Sequence, residues 1–340
     1  MSSVTVLPKF VHVRSLKRED ADSIVDLYKT VGWKLSKEHV AKWIKYSGKY
    51  GRILVAELNG KIVGKVTLDT AFPPYAEIVN IIVHPGYQKM GVGSKLIKEC
   101  IKIATDSGHN IIYLMCDPAN REIHRFYAQL GFIPGILGNP KKDRGNMWLY
   151  YFSKNSFVNN FLEDHPFSEL HVSKGKVNFH GSTFYSMKWC DPLTEDVLEI
   201  FIKGQPGQPE SGGTMPRISG LKCKLGEVEF DCWIQEENNI ISPDTPGKFR
   251  LKIVNKGGKE TSICIKPLPL RGVKLTTEMP THLKIDVNEC IESRFKLELL
   301  KNFNIPLKYL TFPTITVTLT LKINGNVKAI VSAGFEHTEP

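Results

Sequence analysis

The stretch PGYQKMGVGSKL, residues 85–96, sets Gly86, Gly91 and Gly93 between an apolar run, Ile78–Val83, and an amphipathic one, Ile97–Ala104. A glycine-rich turn that leaves a strand and opens a helix is suited to holding a phosphate. Glycine lets the backbone come close to the ligand, and the N–H groups of the helix's first turn bind the anion with help from the helix dipole. The expected donors are Ser94 and the amides of Met90, Gly91, Val92 and Gly93. A plain strand-to-helix turn would not need two glycines two residues apart, so a phosphate-bearing ligand is predicted.

Which ligand follows from the spacing. Gly86 and Gly91 are spaced as in a P-loop, but Val92 stands where that loop requires lysine. A dinucleotide-binding loop needs a third glycine where this chain has Leu96, and it follows the first strand of its unit rather than the fourth. The run VHPGYQKMGVGSKL resembles instead the signature of the GNAT N-acetyltransferases, in which a strand ending V-x-P is followed by [RQ]-x-x-G-x-[GA] and a helix. Gln88, Gly91 and Gly93 stand at its three diagnostic positions. NREIHRFYAQLGF (120–132) is similar to the family's N-x(6)-Y-x(3)-GF segment, with Asn120, Tyr127, Gly131 and Phe132 in register. AEIVNIIVHPGYQKMGVG resembles in particular the histone-acetyltransferase branch, which has a glutamate at the place of Glu77. The resemblance covers residues 10–153, under half of the chain.

The resemblance implies an α/β GNAT-type domain, a mixed and splayed central sheet flanked by helices. It also implies acetyl-CoA as co-substrate, no metal, and acetyl transfer to a primary amine by direct attack in a ternary complex. The implied cofactor-binding set is Gln88, Lys89, Met90, Gly91, Val92, Gly93, Ser94 and Asn120, with backbone groups of Ile82 and Val83 pairing with the pantetheine arm as an added strand would. An amine of pKa about 10.4 is protonated at neutrality and lacks the lone pair the reaction needs, so a base is required. The resemblance gives that role to Glu77, and donation to the departing sulfur to Tyr127. Glu57 and Asp69 are lesser candidates for the base; the alternative for Glu77 is a solvent-facing residue that keeps the strand soluble. Phe72 and Tyr75, in TAFPPYAE, are expected to touch the acceptor beside an acidic cleft formed by Glu57, Asp69 and Glu77. His124 and Cys116 are given no role. Lys141, Lys142 and Arg144 form a basic loop that meets the cofactor's 3′-phosphate or only water.

The elements that must position these residues alternate between strand and helix. FVHVRSL (10–16) alternates like a strand; Ala21, Ile24, Tyr28 and Val31 then recur at helical spacing, and Ser36 can cap a helix carrying Val40, Trp43 and Ile44. Residues 52–71 read as two strands around Asn59-Gly60, a two-residue hairpin signal. AEIVNIIV (76–83) is the strand that enters the glycine loop. After it come a helix with Val92, Leu96, Cys100 and Ile103 on one face, a buried strand NIIYLMC (110–116), a helical stripe of Ile123, Phe126, Tyr127 and Leu130, and a closing strand NMWLYYFS (146–153). Beyond residue 155 helical periodicity survives only in a possible short helix at Thr194–Phe201, and residues 203–220, rich in Gly and Pro, read as a long loop. From residue 226 seven short alternating runs describe a β-sandwich, loosely similar to immunoglobulin-type domains. The expected organisation is thus 1–154 acetyltransferase domain, 155–225 an unassigned connecting or β-rich region, and 226–340 a β-sandwich.

Composition narrows the function classes. The 340 residues are too many for one ordinary core, and their 41% apolar and 24% charged content is that of a globular protein. No apolar run reaches the roughly 18 residues of a spanning helix, so no membrane association is expected. MSSVTVLPKF lacks a basic region followed by an apolar core, and the seven cysteines are dispersed without metal-site spacing; a cytoplasmic protein with reduced thiols is expected. Residues 1–153 carry 22 Lys+Arg against 13 Asp+Glu, and 154–340 carry 23 against 22, so the positive field sits where the anionic ligand is predicted. A nucleic-acid partner is not expected, because no aromatic and basic recognition motif accompanies that charge. The predicted function is N-acetyl transfer to a small-molecule or protein amine, with a protein partner or self-association through the sandwich. The alternative is a catalytically inactive acyl-CoA-binding module.

Overall fold

Asn59 and Gly60 both adopt the left-handed conformation (φ 50° and 76°), the requirement of a tight two-residue hairpin between strands β2 (Gly51–Leu58) and β3 (Lys61–Asp69). Before this hairpin, in a computed structural model that describes residues 11–48, 50–138, 146–206, 214–307 and 310–338, lie β1 (His12–Ser15), α1 (Ala21–Lys29) and α2 (Lys37–Tyr46). After it come β4 (Tyr75–Val83), α3 (Val92–Asp106), β5 (Ile111–Cys116) and α4 (Arg121–Ala128). Ser36 caps α2 as expected, its Oγ accepting from the His39 N–H.

The chain divides into two units, one built from the residues up to Leu114 plus Asn120–Ile133, the other from Met115–Ala119 plus Pro134 onward. In the first, the strand order is β1-β2-β3-β4-β5, antiparallel except for the parallel β4–β5 pair. Ile24, Leu27 and Tyr28, at helical spacing on α1, bury against Val40, Ile53, Val55 and Ile82. On α3 the buried stripe is Val92, Leu96, Ile97, Cys100 and Ala104, and Gly64 of β3 leaves the space that Val92 and Leu96 fill.

The second unit comprises β6 (Ile133–Leu137), β7 (Met147–Phe152), α5 (Phe157–Asp164), β8 (Glu169–Val172), β9 (Val177–Phe179), β10 (Ser182–Cys190), β11 (Val197–Gln205), β12 (Thr214–Leu225), β13 (Val228–Glu236), β14 (Ile240–Ile241), β15 (Gly247–Asn255), β16 (Thr261–Pro267), β17 (Val273–Thr277), β18 (His282–Ile285), β19 (Cys290–Leu299), β20 (Thr314–Ile323) and β21 (Val327–His337). A nine-stranded sheet runs β17-β19-β15-β13-β12-β11-β10-β8, with β9 on β10, and a five-stranded sheet runs β14-β21-β20-β16-β18. The layers meet in a buried seam where the Ser219 hydroxyl donates to the Ser332 carbonyl at 2.8 Å and the Thr316 hydroxyl to the Met215 sulfur at 3.4 Å. The outermost strands are short: β8 and β18 have four residues, β17 five and β14 two.

The all-β reading of the C-terminal part holds, since all seven expected runs are strands. Thr194–Phe201 is not a helix: Leu198, Ile200 and Ile202 alternate into one face of β11 and pair with Trp189, Met187 and Tyr185 of β10. Residues 155–225 hold α5 and strands β8 to β12, and β12 pairs with β13 in one hairpin across residues 225/226. The strand 146–153 forms as expected, as β7, and its Phe152 meets the Trp189 ring edge-on at 5.9 Å. Among the described residues no helix is long and apolar enough to cross a membrane, and all seven cysteines are free.

Candidate active site

β4 leaves the sheet through the glycine loop. Gln88 Nε2 donates to the Val83 carbonyl at 3.3 Å, tying the loop to the end of the strand, and Lys89 takes φ 62°. Gly91 then caps the fifteen-residue α3 with φ 78°, a left-handed conformation costly for any residue with a Cβ. Having no side chain, Gly91 offers no cap to the amides of Val92, Gly93 and Ser94, which stay open to an anion at the positive end of the helix. Gly93 has a different reason to be glycine: a Cβ there would stand 3.3 Å from Phe126 of α4 and 3.7 Å from Val83. The second glycine of the motif therefore serves close packing of helix start, strand end and α4. Lys89 pairs with Glu122 across exposed surface at 3.2 Å.

Upstream, β4 carries one extra residue relative to β3: Thr67 faces Val79, yet Lys65 faces Ile82, and Asn80 takes φ 52° to absorb the bulge. Pairing of β4 with β5 runs only from Tyr75 and Ile111 to Glu77 and Tyr113. Past Glu77 the β5-side backbone edge of Ile78–Val83 is not used by β5, a splay of the kind the resemblance implies.

Glu77 sits at the fork and is 4% exposed, which removes the solvent-facing alternative. Gly51, Asp69, Glu77 and Tyr113 pair in turn across β2, β3, β4 and β5, forming one row on one face of the sheet. Lys65 and Thr67 share that face with Asp69 by the two-residue period of β3. Lys65 is 0% exposed; its Nζ lies 2.6 Å from the Thr67 hydroxyl, 3.2 Å from that of Tyr28, and 4.7 Å from the centre of the Trp43 ring. Burial pushes the Lys65 amine down to about 7, against the opposing pull of Asp69. Asp69 is partly exposed as a residue, but its carboxyl is enclosed, and burial pushes it up to about 7 against the opposing effect of Lys65. Two groups that titrate near neutrality thus share the face of the candidate base, a pattern typical of functional sites.

Asn120 spends its side-chain oxygen on the first turn of α4, accepting from the Ile123 N–H at 3.1 Å. Seven residues on, Tyr127 is buried between the rings of Phe126 and Phe132 at 5.0 and 5.7 Å. Two expected placements fail. Glu57 pairs with Ile62 at the opposite end of the hairpin, about 23 Å along β3 from Asp69, and is bound to Arg14 at 2.8 Å, so it forms no cleft with Asp69 and Glu77. Phe72 and Tyr75 are buried in the core and present no surface to an acceptor. Burial, reinforced by Asp117, pushes the Cys116 thiol up to about 11, which keeps it protonated and poorly nucleophilic at neutrality. Lys141, Lys142 and Arg144 lie outside the described residues. Sequence reasoning missed Lys65; the signal was a lysine in the centre of a strand, interrupting the apolar run IVGKV.

A model of the acetyltransferase (GNAT) family matches residues 19–132. An uncharacterised N-acetyltransferase of Methanocaldococcus jannaschii is 29% identical over 140 residues, 37% of this chain and 62% of the relative. Another, of Pyropia yezoensis, is 26% identical over 147 residues, 41% of this chain and 78% of the relative. Among solved structures, a putative acetyltransferase from Salmonella typhimurium with acetyl-CoA is 18% identical with TM-score 0.38, over 42% of this chain and 93% of that one. The ribosomal-protein-alanine N-acetyltransferase from Brucella melitensis is 15% identical with TM-score 0.37, over 42% and 99%. Residues 19–132, which carry the glycine loop, Glu77 and Tyr127, are the part of the chain that matches the acetyltransferase (GNAT) family.

Proposed function

We propose that the first unit binds acetyl-CoA and transfers its acetyl group to a primary amine by direct attack. The observation that carries this reading is the uncapped start of α3 following directly on a strand edge that β5 leaves open beyond Glu77. The open amides of Val92, Gly93 and Ser94, with those of Met90 and Gly91 beside them, suit a pyrophosphate; Gln88 and Lys89 hold the loop in shape, and Asn120 fixes the start of α4. The backbone of Ile82 and Val83 suits the amide groups of a pantetheine arm, which would lie on β4 as a further strand. Acetyl-CoA supplies an activated acyl group as a thioester. Glu77 takes a proton from the acceptor ammonium, the freed amine attacks the thioester carbonyl to form the C–N bond, and Tyr127 donates to the sulfur as the C–S bond breaks. The second unit, read as an immunoglobulin-like sandwich, serves recognition of a protein or of a second copy, and the protein works in the cytoplasm.

The test is thermal unfolding with and without acetyl-CoA, followed by a panel of amines (peptide N-termini, lysine peptides, spermidine) scored by release of free thiol. A ligand at about 100-fold its dissociation constant adds about 2.7 kcal/mol to native stability, a shift of several degrees for a domain of this size. A shift with turnover that Glu77→Gln abolishes supports the enzyme. A shift with no turnover on any amine favours a cofactor-binding module without catalysis, and no shift in a folded sample refutes both.

A further inference from the structure

The buried lysine of β3 is not used by the chemistry described so far, and its cost to the fold calls for a physical reason. An ammonium enclosed by Tyr28, Thr67 and Trp43 gives up its hydration, and a methionine of the same length would fill the space without that cost. Its position on the sheet face supplies the reason. Asp69 and Glu77 are directly paired residues of neighbouring strands, so their Cβ atoms are about 5 Å apart and both side chains rise from one face. Gly51, on the other side of Asp69, leaves that carboxyl room: Asp69 Oδ1 lies 3.2 Å from the point a Gly51 Cβ would occupy. Two carboxylates this close cannot both ionise cheaply, and a cation on the same face of β3 decides how far they do.

We propose that Asp69 and Lys65 are positioning residues that act as a pair to set the ionisation of Glu77: the Asp69 carboxylate raises its proton affinity and the Lys65 ammonium lowers it. This rests on the reading of Glu77 as the base. The other titratable or charged groups around the row are Tyr28 of α1, Tyr113 of β5, Arg52 at the Gly51 carbonyl, His109 at the Thr70 carbonyl, and Cys100 of α3 beneath the sheet; α2 contributes the neutral Trp43 ring. None of these repeats the geometry of Asp69 directly opposite Glu77. The arrangement sets the proton affinity of the carboxylate at the fork of β4 and β5, where a glutamate in water would be too weak a base to accept a proton from an ammonium.

The test uses the full chain labelled with ¹³C at the Asp and Glu carboxyls, titrated by NMR without any acceptor, so the unidentified amine is not needed. Asp69 and Glu77 are expected to titrate in two coupled steps in the native protein. Asp69→Asn should leave one Glu77 step, at least about one pH unit below the upper native step, as expected for removal of a like charge at about 5 Å. Lys65→Met should move the Glu77 step the opposite way. Opposite shifts support the proposal, since a merely structural role would move neither; an unmoved Glu77 resonance in both variants, or shifts of the same sign, overturns it. Should Asp69→Asn not fold, the near-isosteric Lys65→Met decides alone, by an upward shift or its absence. The parent reading fails separately, if Glu77→Gln keeps native thiol release with an amine active in the panel, whatever the titration shows. A dead Glu77→Gln with an unmoved Glu77 titration sinks only the positioning pair.

Discussion

Replacing Lys65 by methionine should change how the first unit's stability depends on pH. In the folded protein burial lowers the lysine from 10.5 to about 7, so between these values the unfolded chain binds a proton that the native one does not. Stability from this group is therefore fully present above pH 10.5 and is lost as pH falls through 7. The shift corresponds to about 5 kcal/mol at about 1.4 kcal/mol per unit, a large part of the stability of a typical domain. Asp69 works in the opposite sense: raised from 3.8 to about 7, it contributes stability below pH 3.8 that is lost as pH rises through 7. The two together place a minimum near neutrality. Urea unfolding at pH 7, 8, 9 and 10, followed by the indole N–H resonances of Trp33 and Trp43, isolates the first unit. The native protein should gain stability steeply relative to Lys65→Met across this range. Parallel curves for the two proteins would refute the reasoning, because they would mean that the buried amine binds its proton alike in both states.

Other substitutions test smaller parts of the argument. Ser36→Ala removes the cap of α2 and should cost about 1 kcal/mol in urea unfolding of the first unit. Gly93→Val would drive its side chain into Phe126 and Val83, and should reduce the acetyl-CoA-dependent rise in unfolding temperature by more than it lowers the unliganded midpoint. Asp20 is buried, which raises its proton affinity, but hydrogen bonds from Arg14 and the Lys17 amide outweigh this and hold it below the usual carboxylate range. Its contribution is present above pH 3.8 and lost as acid titrates it in the fold, so Asp20→Asn should flatten the acid limb of the stability profile. Gly247→Ala meets the Phe335 ring at 2.8 Å and should destabilise the second unit by about 1–3 kcal/mol, leaving the Trp33 and Trp43 transitions unchanged.

What could be read from the chain was local. Asn59-Gly60, the Ser36 cap and the glycine loop each depend on a few neighbouring residues, and each stands where the spacing places it. Pairings between distant segments were not legible. Nothing around Glu57 reveals that it joins Arg14 at the far end of the hairpin, or that Asp69 lands opposite Glu77, because strand register is set by the whole sheet. The bulge at Asn80 left no mark either, since an asparagine within an apolar run has many explanations. The misreading of Thr194–Phe201 as a helix has the same origin: a short run leading into adjacent Phe201 and Ile202 fits helix or strand until partners on both sides decide.

The graded strand lengths of the second unit bear on its behaviour as a material. Its inner strands reach ten to twelve residues and expose long rows of hydrogen-bonding groups to one another, while the rims are closed by strands of two to five residues. A rim this short offers little template for strand addition from another chain, and Lys274 on one rim and Lys284 on another set charge against it. The short rim strands themselves therefore limit strand addition to the folded unit, whereas β14 covers only Glu336 and His337 of the eleven-residue β21, so the remaining length of β21 is where such addition would have to start.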